Sequence, residues 1–504
     1  MRASAVFLLI AATAFAQTSR GTVTGLVTDA SGAVIPSASA ELKSISTGVL
    51  RTAATNDSGL YRLDAVDPGS YEIAISKAGF KATKSNAFDI AAAQIASIDA
   101  KLEIGTQNQV SEVSADAVTL QVDSPVRSST INSKQITELP FSGRNPVALA
   151  LTVPGVSTSR IGVGGTGSFS MNGSRSRSNN FLIDGTENND ISVAGQAFTI
   201  TLPDMVQETS VQTSNYDAEF GRAAGAVVNV VTKSGSKAFH GTASWLLDVT
   251  NDDAITNTQG LDPAVQKRGK PLPGTENIWG ATFGGPIIKN KTFFFAGFQE
   301  DRQKSSGWST AAAPTAAGWA TLNSLFPNSA NPLVDLYRTV LVGTTATAQP
   351  TMIALGNNRP GIEFGTATLG YANFVGDRLF SIKGDHRFSD SDSMSARYAT
   401  QDRPIRPASV SYPGMNTSQA NLFKNAIFCE THIFSPSMTN DLRLGYNRID
   451  LVFPVDTTRP LGRTCRNTPS PVCRLPTSPT WVLPPTFPGG ALPTTTPCRT
   501  PFRW

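Results

Sequence analysis

The sequence predicts a mainly β chain: an N-terminal β-sandwich, a mixed α/β middle segment, a partial antiparallel β-barrel of the membrane-spanning kind and a disordered C-terminal tail. Three observations predict it. Apolar and polar residues alternate with period two through two long stretches, the connections in the second stretch switch between long and very short, and every period stops after Val455. The composition agrees. With 40% hydrophobic, 16% charged and 8% aromatic residues and 42 Gly in 504, the chain is too apolar for wholesale disorder and fits a β-rich exported protein better than a helical enzyme.

Residues 1–16 carry Arg2, an apolar run from Ala5 to Phe15 and the A-x-A ending Ala14-Phe15-Ala16, which predicts a signal peptide cleaved after Ala16. That run is too short to cross a bilayer. No later run approaches the roughly 18 to 20 apolar residues of a membrane helix, so a membrane location would require a β-barrel. Residues 17–104 predict the sandwich. Thr22 to Thr28 ends in the turn Asp29-Ala30-Ser31-Gly32, and Tyr61/Leu63, Tyr71/Ile73/Ile75 and Ile98/Ala100/Leu102/Ile104 alternate with more polar neighbours. Residues 105–120 form a polar linker with a short extended run.

In residues 121–236, Ile131 to Pro140 reads as a short capped helix stopped by Pro140, Pro146 to Leu151 as another helical turn, and Gly225 to Lys233 as a buried strand. Residues 237–455 predict seven strands, at 239–248, 277–285, 292–302, 378–388, 393–401, 422–434 and 439–451. One face is greasy and the other polar. Phe239/Gly241/Ala243/Trp245/Leu247 alternate with His240/Thr242/Ser244, and Phe380/Ile382/Gly384/Phe388 with Ser381/Lys383/Asp385/Arg387. The connections run 28, six, 75, four, 20 and four residues. Long loops on one side and tight turns on the other are the signature of an outer-membrane barrel, and Trp245, Trp279, Phe294, Phe298 and Tyr446 then face lipid. Residues 456–504, with eleven Pro and eleven Thr, leave no period for a strand; their abrupt onset reads as a wrong frame or a truncated copy.

Charge and motif content remove several function classes. The net charge of +4 belongs to the tail, where six Arg face one acid, Asp456, for +5, leaving −1 for everything before it. A basic stripe for phosphate is missing, so nucleic acid is not an expected partner. Cys465, Cys473 and Cys498 also lie in the tail and only Cys429 precedes it, without a CxxC pair, so neither a zinc ribbon nor a disulfide framework is expected. His240, His386 and His432 are far apart, and no G-x-S-x-G, H-E-x-x-H or H-x-x-E is present, so no catalytic residue, metal ligand or cofactor is expected. The run Gly162 to Gly167 fits G-x-G-x-x-G but lacks a hydrophobic strand before it and a helix after it, and reads as a loop.

Residues 25–38, with the pattern G-x-V-x-D-x-x-G-x-x-I-P-x-A, followed by Gly59-Leu60-Tyr61-Arg62-Leu63 and Pro68-Gly69-Ser70-Tyr71-Glu72-Ile73, resemble the carboxypeptidase regulatory-like fold, grouped with carbohydrate-binding-like and Cna-B-like modules. The middle segment resembles the plug of a TonB-dependent outer-membrane receptor, through Ile136-Thr137-Glu138-Leu139-Pro140, Gly143-Arg144-Asn145, Asn172-Gly173-Ser174-Arg175, Phe181 to Asp190 and Val211 to Arg222. With Asn229 to Gly235 and Phe239-His240-Gly241, the ordered set over residues 20–455 is similar to the Oar-like subgroup. The resemblance implies a plug inside a barrel of about 22 strands, so seven cannot enclose one and the chain is expected not to transport by itself.

The resemblance also implies an outer-membrane location with sandwich and plug on the periplasmic side, contact with lipid and with the TonB complex of the inner membrane, and import of a ligand, carbohydrate or peptide. TonB grips an extended segment ahead of the plug, and Val110, Ser111, Glu112, Val113, Ser114 and Ala115 are the expected contact, by strand addition. Asp184, Glu187 and Asp190 with Asn188 and Asn189 read as a solvated, hydrogen-bonding turn; together with Arg175 they form the expected ligand-side loop of the plug. The alternative reading is a surface carbohydrate-binding or adhesive protein using Tyr61 and Tyr71, although both alternate with core positions.

Overall fold

A computed structural model describes residues 20–457 except 106–109, 114–126, 140–143, 159–168, 191–194, 217–219, 222, 251–252, 256–259, 261–262, 329–330, 342–343, 356–358, 413–414 and 436–437. The signal peptide at 1–16, Ser114 and Ala115, the run Gly162 to Gly167 and residues 458–504 lie outside the described residues.

Two sheets make the sandwich. The first orders Leu60–Val66, Gly21–Asp29 and Ile95–Ser97, with Ala100–Leu102 also on Gly21–Asp29; the second orders Val110–Val113, Ala82–Ser85, Gly69–Ser76, Ser39–Ser44 and Leu50–Ala54, with Phe88–Ile90 on Gly69–Ser76. Their inner faces bury Val23, Leu42, Tyr61, Ile73, Ile75 and Leu102 in one core. Ser39–Ser44 shows why the sequence folds this way, since its side chains alternate strictly between exposed and buried. Gly25 answers a close approach: a Cβ there would sit 1.9 Å from the Ile98 carbonyl oxygen, the same oxygen that accepts from the Tyr61 hydroxyl at 2.7 Å. Tyr61 and Tyr71 are both buried, and the Tyr71 hydroxyl donates to Asp67 O at 2.8 Å, so neither ring is a platform for sugar. The expected alternation fails at one end, where Ile104 is 81% exposed beyond the last sheet strand. The expected linker also differs, because Val110–Val113 is the edge strand of the second sheet, paired in parallel with Ala82–Ser85.

The middle segment folds around a five-stranded sheet ordered Arg127–Asn132, Val206–Ser214, Val227–Thr232, Asn180–Ile183 and Thr186–Glu187. Val227–Thr232 is central and buried at every position, which explains its near-continuous apolar sequence. The short helix Ser133–Glu138 begins where a capping box forms: Asn132 Oδ1 accepts from Gln135 N at 2.9 Å, and Gln135 Oε1 accepts from Asn132 N at 3.0 Å. Pro146–Thr152 is a 3-10 turn capped by Asn145.

All seven expected wall strands are present, in one ten-stranded sheet. The path runs His240–Val249, Thr275–Ile288, Thr292–Pro314, Ile362–Arg387, Asp392–Asp402 and Met415–Ser435, with Met438–Val452 also on Met415–Ser435. Three short strands were not expected, Ala348–Ile353, Ile405–Tyr412 and Val455–Thr457, and the last carries regular structure past Val455. Thr292–Pro314 and Ile362–Arg387 also run well beyond 302 and before 378, pairing without a register shift from Thr292↔His386 to Pro314↔Phe364. What looked like one long loop therefore includes strand at both ends and the helices Ala316–Leu325 and Pro332–Val340.

The wall is inside out relative to a soluble sheet. Trp245 is 64% and Tyr446 53% exposed on the outer face, while Gln299 and Asn425 are each 1% exposed on the inner face. Trp245 lies opposite Trp279, and Phe298 opposite Phe380, as outward cross-strand pairs. Phe294 packs against Phe283 and Phe239 on that same face. No described helix is long and apolar enough to cross a membrane.

Candidate functional site

The inner wall receives the five-stranded unit, and the two share one hydrophobic cluster: Ile136, Phe181, Phe198, Leu202 and Val228 from the sheet unit continue into Phe295, Leu379, Ala399 and Ile427 of the wall. Polar contacts fix the register between them. Gln299 Nε2 donates to Thr201 Oγ1 at 2.8 Å, Lys383 Nζ to Thr232 O at 3.2 Å, and Asn447 Nδ2 to Glu187 O.

The centre of this interface is the hairpin turn Asp184-Gly185 between Asn180–Ile183 and Thr186–Glu187. Both residues adopt left-handed backbone, φ 47° and 75°, as two-residue hairpin turns of this kind require, and Asp-Gly is the pair that tolerates it. Gly185 N donates to Asn229 Oδ1 at 3.1 Å. The Asp184 carboxylate accepts from Thr232 N of the plug's own central strand and, across the interface, from Arg397 Nε of the wall, each at 2.8 Å, with the wall's Lys383 Nζ at 3.9 Å. Burial would raise its pKa, but Lys383, Arg397 and the Thr232 hydrogen bonds together hold it below the ordinary carboxylate value. Arg397 Nη2 donates in turn to Asn425 Oδ1 at 2.5 Å.

This overturns the solvated-turn expectation for most of the loop. The Asp184 side chain is 12% exposed, and Asn188 and Asp190 are buried. Asn188 clasps Phe198 through both its backbone N–H and its carbonyl, and Asn189 Oδ1 accepts from Phe181 N at 2.9 Å. The physical reason is the wall, which covers the turn from outside and turns its acids and amides into interface groups. Glu187 and Arg175 alone of the six remain exposed. Lys383, Arg397 and Asn425 escaped the sequence reading, their only signal being the inward polar side of the alternating wall strands, and Thr232 escaped it because it ends a near-continuous apolar strand of the plug.

The sandwich docks at the tight-turn end of the wall. Arg387 Nη1 donates to Leu50 O at 2.6 Å, Lys237 N to Ser46 O at 3.0 Å, and Ala92 N to Glu208 Oε1 of the sheet unit at 2.6 Å. Arg20 pairs with Asp67 at 2.8 Å while also reaching Thr431 of the wall.

The family comparison decides what this wall is. The outer membrane beta barrel domain family matches residues 231–491, more than half of the chain and through most of the Pro/Thr-rich stretch. The chain belongs to the outer membrane beta-barrel family. Ahead of that barrel domain, the TonB-dependent receptor plug domain matches residues 121–228, and the carboxypeptidase regulatory-like domain matches 22–103. The sheet unit is thus a plug, and the barrel wall around it places the chain in the outer membrane. The TonB-dependent transporter Oar of Myxococcus xanthus is 29% identical over 308 residues, 58% of this chain and 27% of that protein. Among solved structures, the outer membrane transporter YddB from Escherichia coli is 12% identical with a TM-score of 0.43, over 65% of this chain and 39% of that one. The ferric enterobactin receptor PfeA from Pseudomonas aeruginosa is 13% identical with a TM-score of 0.33, over 66% and 46%. The chain spans less than half the length of each of these relatives.

Proposed function

We propose that this chain supplies the sandwich, the plug and part of the barrel wall of a receptor for TonB-dependent uptake across the outer membrane, and does not act as an enzyme. Ligand, a carbohydrate or a peptide, is bound from outside by the long loops and by the exposed parts of the plug, Arg175 and Glu187 among them. TonB is engaged from the periplasm through residues 110–115. The observation that carries the reading is a plug held in a lipid-facing wall by a polar latch, Asp184 against Arg397, as well as by hydrophobic packing. Such a latch can release without unfolding the wall.

Val110–Val113 supports the TonB part of the reading, because it is already extended and forms the last strand of its sheet, with one edge paired to Ala82–Ser85 and the other free of a strand partner among the described residues. The test is photo-cross-linking of the chain to a periplasmic TonB fragment, with Val113→Pro removing one backbone donor. Loss of cross-linking with retained membrane insertion is the expected result. Unchanged cross-linking would move the contact elsewhere.

A further inference from the structure

The outer face of the wall carries one polar cluster at the tight-turn end. Along Met415–Ser435 the residues Ile427, Cys429 and Thr431 point inward and are buried, so Phe428, Glu430, His432 and Phe434 share the outward face. Asp392, the first residue of Asp392–Asp402, lies directly opposite His432 in the antiparallel register, and Glu430 is two residues along the same face. One ligand atom from each of the three falls within 4.8 Å of the other two.

The acids share this face with large apolar side chains. Glu430 lies opposite Leu442 on the next strand, and Phe428 opposite Leu444, both leucines being exposed on the lipid-facing side. Asp392 is hydrogen-bonded to His432 Nδ1, and among the described residues no Lys or Arg ion-pairs with Asp392 or Glu430. In place of the His432–Asp392 pair, a single divalent cation would neutralise both acids at once and take the imidazole as its third ligand.

The donor set selects the kind of cation. Two carboxylates and one imidazole match the three-ligand sites that hold zinc with a fourth position left to water, whereas the imidazole disfavours Mg2+ and Ca2+, and the thiolates that copper(I) prefers are absent from the cluster. The ligands are also oriented from behind. Ser389 Oγ donates to Asp392 Oδ2 at 2.5 Å, and the Phe434 ring stands edge-on to the His432 ring with centroids 4.2 Å apart. Zinc–ligand bonds near 2.1 Å place tetrahedral ligand atoms about 3.4 Å apart, so modest side-chain rotation closes the observed set around an ion.

We propose that Asp392, Glu430 and His432 form a binding site for a divalent transition-metal ion of the zinc class on the outer wall, beside the turn at 388–391. The site is independent of the uptake reading, since it lies on the opposite face of the wall from the plug.

The test uses the full chain in detergent micelles with Cys465, Cys473 and Cys498 replaced by Ser, so that the tail offers no thiolate. Zn2+ is titrated calorimetrically, and Co2+ is added separately to read its visible absorption. The expected result is one Zn2+ per chain, a tetrahedral Co2+ spectrum, and a loss of affinity of at least about 10-fold in Glu430→Gln and in His432→Gln, without competition from excess Mg2+. Circular dichroism checks that each variant keeps its sheet, and Asp392→Asn stands in for either if it does not. Absence of Zn2+ binding by the parent, or affinity and Co2+ spectrum unchanged in the folded variants, would overturn the proposal.

Discussion

The Asp184 carboxylate of the plug accepts a hydrogen bond from Arg397 Nε of the wall at 2.8 Å, and both side chains are nearly buried. A buried pair of this kind contributes little net stability compared with an apolar contact, but removing one partner strands the other charge and costs about 3 to 5 kcal/mol. Asp184→Asn should therefore loosen the plug far more than it perturbs the wall. Limited proteolysis should show faster cleavage within 127–232 at unchanged wall resistance, and the double variant Asp184→Asn/Arg397→Gln should recover part of the protection.

Glu208 sets a pH dependence for the contact between sandwich and plug. Burial pushes its carboxyl up to about 7, partly opposed by the hydrogen bond from Ala92 N. Because the folded value lies above the unfolded one of 4.5, the docked state binds the proton more tightly. The buried, docked state is favoured most below about pH 4.5 and weakens progressively as pH rises through 7, with at most about 3 kcal/mol divided between docking and folding of the plug. Hydrogen exchange at Ala92 across pH 5 to 8 should report this loosening. Glu208→Gln should flatten it.

The sandwich should fold alone, since its core closes within residues 23–102. A fragment of residues 20–104 should unfold cooperatively with β-type circular dichroism. Ile73→Ala, which empties a fully buried position, should cost about 2 to 5 kcal/mol and lower its midpoint. A random-coil spectrum for the parent fragment would contradict the prediction.

Ile382 and Ser381 are sequence neighbours on opposite faces of the wall, the first exposed to lipid and the second buried toward the plug. Ile382→Arg should lower stability in lipid vesicles by about 2 to 4 kcal/mol if it lies near the bilayer centre. Tyr446→Phe, on the same outer face, should cost far less. Urea titration of vesicle-inserted protein measures both.

The sequence shows the parts of this fold that are local. Alternation placed Phe380 and Ile382 outward and Ser381 and Lys383 inward because lipid enforces it residue by residue, and Asn132 with Gln135 announced the plug helix through a contact three residues long. Beyond the bilayer that pressure disappears. The extension Ser305 to Ala313 pairs with 365–373 mostly through small and polar residues, with only Trp308, Leu369 and Tyr371 large among them, so no two-residue period marked it as strand. The latch was hidden for another reason. Asp184 meets an arginine 213 positions away, and His432 meets Asp392 across a 40-residue separation, pairings set by register that no spacing rule encodes.

The hairpin from Thr292–Pro314 and Ile362–Arg387 has a consequence of reach. Its 23 unbroken pairs extend about 75 Å, whereas a tilted strand crosses the apolar band in about ten residues. The remaining roughly 40 Å of strand length continues past the wall as a ribbon joined by Ala348–Ile353 and Ile405–Tyr412, and ends in a knob in which Trp319 and Tyr337 pack on Ala313, Leu341 and Ala367. The knob is therefore held away from the wall on the long-loop side, and a membrane-impermeant reagent should label it on intact cells while the plug stays protected.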